Sequence, residues 1–450
     1  MRKSHTMIQL SDHFTYGKLL RFVMPSILMI LCMSVYSIVD GFFVSNFVSK
    51  TAFAAVNLMM PVLMGVATIG FMIGTGGSAV VSKTLGEGDK VRANQYFTML
   101  ILFAFVISAV LAVIGFLFAP QIAAGFGAKE EEMLKDCILY SRILFIATPL
   151  YVLQQAFQSF YVAAQKPELS LKVSIFAGLT NMILDYLLIV PFQMGLAGAA
   201  IATAVSQAIG GIFPILYFSR KNNSSLLRLQ FPFSLHWRAL RTACANGSSE
   251  MVSNLSVSLV SILYNYQLMQ FAGEDGIAAY GVIMYVAIIF NAVFMGYSIG
   301  SAPIVSFHYG AKNHAELKNM FRKGILLIGG SGIVITAAAI GFAKPLAMIF
   351  TSYDAELLAL TTRACQIYSI SYLFMGMNIW ASSFFTALNN GLISACISFL
   401  RTFLFQIAAI LLLPQLLGID GIWSSVVLAE FTAILISVAF LLGKRKKYQY

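Results

Sequence analysis

The chain has 450 residues, 59% hydrophobic and only 10% charged, against roughly 25% charged residues in a soluble domain. That balance excludes a soluble globular enzyme and a disordered polar chain, and implies a polytopic membrane protein. The net charge of +11 invites a nucleic-acid partner, but the placement of the charges argues against one.

Twelve apolar runs of about twenty residues follow one another, centred near residues 33, 68, 107, 148, 180, 207, 257, 292, 330, 372, 403 and 431. Each is long enough to cross about 30 Å of hydrocarbon as a helix. None alternates with the period of two of a barrel strand, so all are predicted helical. No small-residue cleavage site follows the first run, so no removable signal peptide is expected.

The first run contains YSIVDGFFVSN, residues 36–46. It puts Asp40 in hydrocarbon, at a cost of about 2.5–3.5 kcal/mol for an ionised carboxylate at a helix centre. Ser37 lies one turn before Asp40 and Gly41 beside it. GEGDK (86–90) is Gly-rich, yet GAKNH (310–314) stands in its place later in the chain, which marks a turn and not a phosphate cradle. No G-x-x-x-x-G-K-[ST] loop occurs. The acidic KEEEMLKD (129–136) precedes the fourth run, which carries Tyr140 and Arg142. The fifth holds NMILDYLLI, with Asn181 one turn before Asp185 on the same face. The sixth carries Thr203 and Gln207, and the longest polar interruption, residues 219–238, follows it.

The seventh run opens with NGSSEMVSN, whose Glu250 is expected at the cytoplasmic mouth of a cleft. Glu274 and Asp275 mark the next outer loop. GGSG (329–332) in the ninth run is similar to the G-x-S-G of intramembrane serine proteases. The five histidines, His5, His13, His236, His308 and His314, fall at the terminus, the linker or the turn after the eighth run. No enzyme is therefore expected, and the small residues are assigned to helix packing. The tenth run has no acid, the eleventh carries Arg401 and the twelfth Glu430. Cys32, Cys137, Cys244, Cys365 and Cys396 form no C-x-x-C pair and are predicted to be neither disulfides nor ligands.

With loops assigned alternately to two sides, 22 of the 29 Lys and Arg fall on the side of both termini, 4 on the other and 3 inside runs. Positive-inside bias then puts both termini in the cytoplasm of a multi-pass plasma-membrane protein. The basic charge reflects topology, with lipid headgroups as counter-charge and no nucleic acid as partner.

The halves repeat. Residues 76–97 lie over 300–321 at an offset of 224, matching Gly76/Gly300, Val81/Val305, Ser82/Ser306, Gly86/Gly310 and Phe97/Phe321. Pro191, Gly195 and Gly198 meet Pro414, Gly418 and Gly421 at 223. The expected fold is all-α: twelve transmembrane helices as two parallel six-helix repeats around a central cleft, suited to alternating access. The predicted parts are an N-terminal lobe (1–219), a cytoplasmic linker (220–237) and a C-terminal lobe (238–450).

Four acids remain inside runs: Asp40, Asp185, Glu250 and Glu430. Such acids are either hydrogen-bonded packing groups or functional. Two carboxyls facing one cavity can take up and release a proton, with Tyr140, Asn181 and Thr203 as their shell. Asp40 falls opposite Tyr264 and Asp185 opposite Ala408 or Ala409, so the coupling site is predicted in the first half alone. Glu250 is either a solvated carboxylate or a recruiter of cations; Glu430, opposite Gln207, is a packing group or cleft wall. Arg142 and Arg401 are expected to bind headgroups or a neighbouring acid. The 21 Met and 37 Phe are compatible with a pocket for varied apolar cations.

The order of these features resembles the multidrug and toxic compound extrusion (MATE) family over nearly the whole chain. The first helix, PSILMILCMSVYSIVDGFFVSN, the following TAFAAVNLMMPV and G-x-x-G-A-A-x-A-T (195–203) carry the likeness, which is nearest the MepA-type branch. The resemblance implies a V-shaped cleft and cation-driven export of amphipathic, often cationic drugs by a protein working as a monomer. It places a proton network on Asp40, Tyr140, Asn181, Asp185 and Thr203, with bending of helix 1 near Pro25 and Gly41. Sodium-coupled relatives carry acids in helices 7 and 10, and helix 10 here has none. Protons are therefore favoured, with Na+ at Asp40 and Asp185 the alternative ion. Within the superfamily a lipid-linked substrate flippase is the other alternative. No cofactor beyond the coupling ion is implied.

Overall fold

The polar breaks between the apolar runs work as helix caps. Asp89 Oδ1 accepts from the Arg92 N–H at 2.9 Å, and 224 residues later Asn313 Oδ1 accepts from the Glu316 N–H at 3.1 Å. Each satisfies one of the amide groups that a helix start leaves unpaired. The residue before each cap has positive φ, 87° at Gly88 and 55° at Lys312. The computed structural model describes residues 8–128, 130–220, 225–231, 234–351 and 354–450, with backbone alone at 45 and 50. His5, Lys129 and parts of the linker (221–224, 232–233) lie outside the described residues.

The helices among the described residues are α1 (Tyr16–Phe47), α2 (Lys50–Gly86), α3 (Lys90–Leu117), α4 (Ala119–Gly125), α5 (Glu131–Ala163), α6 (Pro167–Ile189) and α7 (Gly195–Ser219) in the first half. The second has α8 (Trp237–Gly310), α9 (His314–Gly341), α10 (Ala343–Thr351), α11 (Ala355–Ser369), α12 (Tyr372–Ala387), α13 (Gly391–Phe399), a π-turn (Leu400–Leu404), α14 (Phe405–Leu417) and α15 (Ile419–Tyr448). Among the described residues there is no strand.

The 74 residues of α8 would run about 110 Å as one straight helix. They do not, because Gly273 takes φ 59° and ψ −144°, a backbone open to glycine. The chain doubles back there, and the Tyr264 and Tyr280 rings stack 5.1 Å apart. The acidic pair Glu274 and Asp275, predicted as a loop, is helical; one glycine makes the whole reversal. Among the described residues, leaving out the short α4 and α10, counting both arms of α8, and joining α11 to α12 and α13 through the π-turn to α14 gives the twelve crossings. Large apolar side chains such as Ile146, Leu392 and Leu416, 71–82% exposed, then face lipid.

The repeat governs the element boundaries. The ends of α2 and α8, of α5 and α12, and the starts of α3 and α9 are each 224 residues apart. Gly195 and Gly418, at the starts of the last helix of each half, have φ 56° and 61°. The halves differ around the centre: α5 runs unbroken through Pro149, whereas its counterpart breaks between α11 and α12, and the π-turn has no match in α6.

On the side of both termini the lobes meet backbone to backbone. A Cβ at Gly86 would collide with Phe307 O of α8, and one at Gly310 with Lys83 O of α2. Gly76 on α2 and Gly247 on α8 make a second crossing, against Ala243 O and Met72 O respectively. The chain start is strapped to the same end. The Phe14 N–H donates to Glu316 Oε1 (2.9 Å), His13 Nδ1 meets Glu316 Oε2 (2.6 Å), and Asn319 and Lys323 donate to Phe14 O.

Candidate functional site

The interface of α1 and α6 is built for close approach. The buried face of α6 carries Ser170, Ser174, Ala177, Gly178, Asn181 and Asp185, spaced along one side of the helix. Ser170 Oγ donates to Met29 Sδ at 2.9 Å. One level up, the Tyr36 ring lies where only Gly178 leaves room, since a Cβ there would be 2.9 Å from Tyr36 Cδ1. The next level brings the acids together: Asp40, 9% exposed, and Asp185, 0% exposed, face each other closely enough to interact directly. Apart from each other, neither Asp185 oxygen nor Asp40 Oδ1 has a hydrogen-bond partner among the described residues.

Tyr140, buried on α5, comes near both carboxyls. Asn181 is buried one turn before Asp185, and the half-buried Thr203 has a hydroxyl without a partner. Three residues were missed by sequence reasoning. Tyr36 stands beside Asp40 and near Tyr151; Tyr151, whose hydroxyl donates to Met64 Sδ (3.6 Å), comes near Gln155; and Gln155 lines the central cavity. The available signal was spacing, since Tyr36 is one turn before Asp40 and Tyr151 one turn before Gln155.

The cavity of about 390 Å³ lies between the lobes, beyond the Gly76–Gly247 crossing. Phe71 and Thr75 of α2 and Gln155 and Gln158 of α5 form its N-terminal wall. The opposite wall holds Tyr264, Tyr280 and Tyr368, with Met284 and Met375. Among the described residues three charged side chains line it, Glu250, Arg401 and Glu430, and all belong to the second half. Glu430 Oε2 accepts from Asn378 Nδ2 (2.8 Å), and Asn378 Oδ1 accepts from Ser437 Oγ (2.8 Å). Arg401 Nε lies 3.7 Å from Glu430 Oε1. The π-turn presents Arg401, and such turns recur at functional sites. Tyr264, the counterpart of Asp40, is held by Ser425 (2.6 Å) and Gln406 (3.0 Å).

Several placements differ from expectation. Glu250 is not at a mouth but inside the cavity, because α2 crosses α8 at Gly247 and closes the path below it. Gln207 does not line the cavity. It is half-buried on α7, one turn before Gly210 and Gly211, which pack on Gln154 and Leu150 of α5. Arg401 meets a neighbouring acid, and the five cysteines are free. Pro25 is buried in an α1 that continues as helix from Tyr16 to Phe47, with Val23 and Ile27 against Gly300 and Gly296 of α8. Gly41 has space around it, with Phe53 3.9 Å from an added Cβ. Ser331 of GGSG donates its hydroxyl to Ile328 O (2.9 Å) within its own helix.

A chain of this architecture has measurable relatives. It is 23% identical over 446 residues to the multidrug export protein MepA of Staphylococcus haemolyticus (strain JCSC1435), covering 99% of this chain and 97% of that one. With MepA of Staphylococcus aureus (strain MSSA476) it is 22% identical over 433 residues, covering 96% and 94%. Among solved structures, one described as the outward-facing conformation of a multidrug resistance MATE family transporter of the MOP superfamily superposes with a TM-score of 0.90 at 19% identity over 96% of each chain. The sequence model of the MatE family matches twice, at residues 25–187 and 251–411. Those two matches fall one on each half of the repeat, and the chain belongs to the MatE family.

Proposed function

We propose that the protein is a secondary active multidrug exporter. It binds amphipathic, often cationic compounds in the central cavity and expels them by alternating access as cations enter. The observation that carries this is the buried pair Asp40 and Asp185, whose facing carboxyls lack fixed donors and any built-in cation. A group so placed must take its positive charge from outside, and a proton serves with the fewest ligands. Tyr36 and Tyr140 stand near the pair, and with Asn181 and Thr203 they are the groups that can bond either protonation state once a side chain turns. Support for drug transport comes from the relatives, which are named multidrug export proteins.

The 22 basic residues on the side of both termini put that side in the cytoplasm. With the lobes clamped there, the cavity faces outward in this state. One copy suffices, since a single chain builds both walls. A flippase for pyrophosphate-linked lipids fits less well, because the one arginine in the cavity wall is paired with Glu430.

Proteoliposomes given an outward-directed drug load distinguish the ions. Efflux driven by an imposed pH gradient, with no Na+ present, is the expected outcome. Efflux that requires a Na+ gradient and ignores pH would move the coupling to Na+ at Asp40 and Asp185, where the Asn181 and Thr203 oxygens suit a hard cation.

A further inference from the structure

Each lobe holds a pair of acids inside its membrane-spanning helices, but they are neutralised differently. In the N-terminal lobe no basic side chain among the described residues acts on Asp40 or Asp185; Ala177 or Gly178 occupies the repeat position of Arg401. In the C-terminal lobe the Arg401 guanidinium lies between the two acids, 3.7 Å from Glu430 and within electrostatic reach of Glu250. Its Nη1 has no hydrogen-bond partner, and its side chain is 13% exposed. Glu430 is fixed by Asn378 and Arg401, whereas Asn254 Nδ2 donates only to the backbone carbonyl of Glu250 (2.8 Å) and, among the described residues, no side chain bonds its carboxylate and no other charged residue lines the cavity. With both acids ionised, two carboxylates and one guanidinium leave the cavity with one negative charge in excess.

We infer that Arg401 is a resident counter-cation that sets the valence of the substrate: the cavity takes singly charged amphipathic cations and rejects doubly charged ones. A monocation pairs with Glu250 and restores neutrality, with its apolar body against Tyr264, Tyr280 and Met284. A dication meets the uncompensated repulsion of Arg401, whose largely buried side chain is screened less than a surface charge. Arg401 is a specificity residue, and it leaves the coupling to the acids of the other lobe. This rests on the export of cations proposed above.

Ethidium and propidium share one aromatic ring system and carry one and two positive charges. Their fluorescence reports binding to the full chain in nanodiscs. The wild-type protein is expected to bind ethidium at least about tenfold tighter than propidium. Arg401→Met should erase or invert that preference by gaining propidium, Arg401→Lys should keep it, and Glu250→Gln should weaken ethidium at least about tenfold. If Arg401→Met does not fold, Glu430→Gln serves, because it leaves the cavity neutral and should weaken ethidium. An unchanged ethidium to propidium ratio in Arg401→Met, or equal binding of the two by the wild type, overturns the valence rule while cation binding stands. No binding of either dye by a wild-type protein that also fails to transport either would sink cation export itself.

Discussion

Asp185 is surrounded by protein and, among the described residues, no group other than Asp40 is placed to donate to it, a state that a carboxylate does not hold without help. The nearest group able to share its burden is Asp40, also an acid. Two acids in contact are stable together when one of them carries a proton. Nothing of the kind is needed at Glu430, which has Asn378 and Arg401. Glycine matters at the same scale. Gly86 and Gly310 each lie where the other lobe's backbone leaves no room for a Cβ. Gly86→Val or Gly310→Val should prevent closure on the terminal side. Spin labels at residues 90 and 314 are expected to move apart by several ångströms in either variant; an unchanged distance distribution would show that the clamp tolerates a side chain.

Among the elements, α1 joins the two lobes along its length: Val23 and Ile27 pack on α8, and Tyr36 and Asp40 on α6. Its start is fastened to α9 by Glu316, Asn319 and Lys323. A shift in α1 at the acids is thus tied to the closed end through one continuous helix. Glu316→Ala leaves the Phe14 N–H without its acceptor, a loss of about 1–3 kcal/mol. Hydrogen exchange at residues 10–18 should accelerate about 5- to 100-fold; unchanged exchange would mean that the strap is held by Leu10 and Phe14 packing alone. The elements were legible where hydropathy and caps agree, as at Asp89 and Asn313. The break between α11 and α12 and the π-turn at Arg401 were not. Neither has a glycine or proline at the irregularity, and tertiary packing decides both.

At the scale of the molecule, the duplication was readable because its glycines are fixed by backbone contact and by positive φ, as Gly86 with Gly310 and Gly195 with Gly418. The in-helix acids stood out through their cost in hydrocarbon, and the fold brings Asp40, Tyr140 and Asp185 together. Glu250 was misplaced because the mouth of the cleft is set by the crossing of α2 with α8, a matter of three dimensions. The cavity's charge was hidden for the same reason: Arg401, Glu430 and Glu250 lie on three separate helices or turns and share no spacing. Duplication followed by divergence has left one lobe with unneutralised acids and the other with a built-in cation.

The most direct measurement is of protons. Purified protein in weakly buffered solution, given a saturating amphipathic monocation, is expected to release protons to a pH indicator dye. Asp40→Asn and Asp185→Asn should each abolish that release while substrate still binds. Release of the same size in both variants would contradict coupling at this pair.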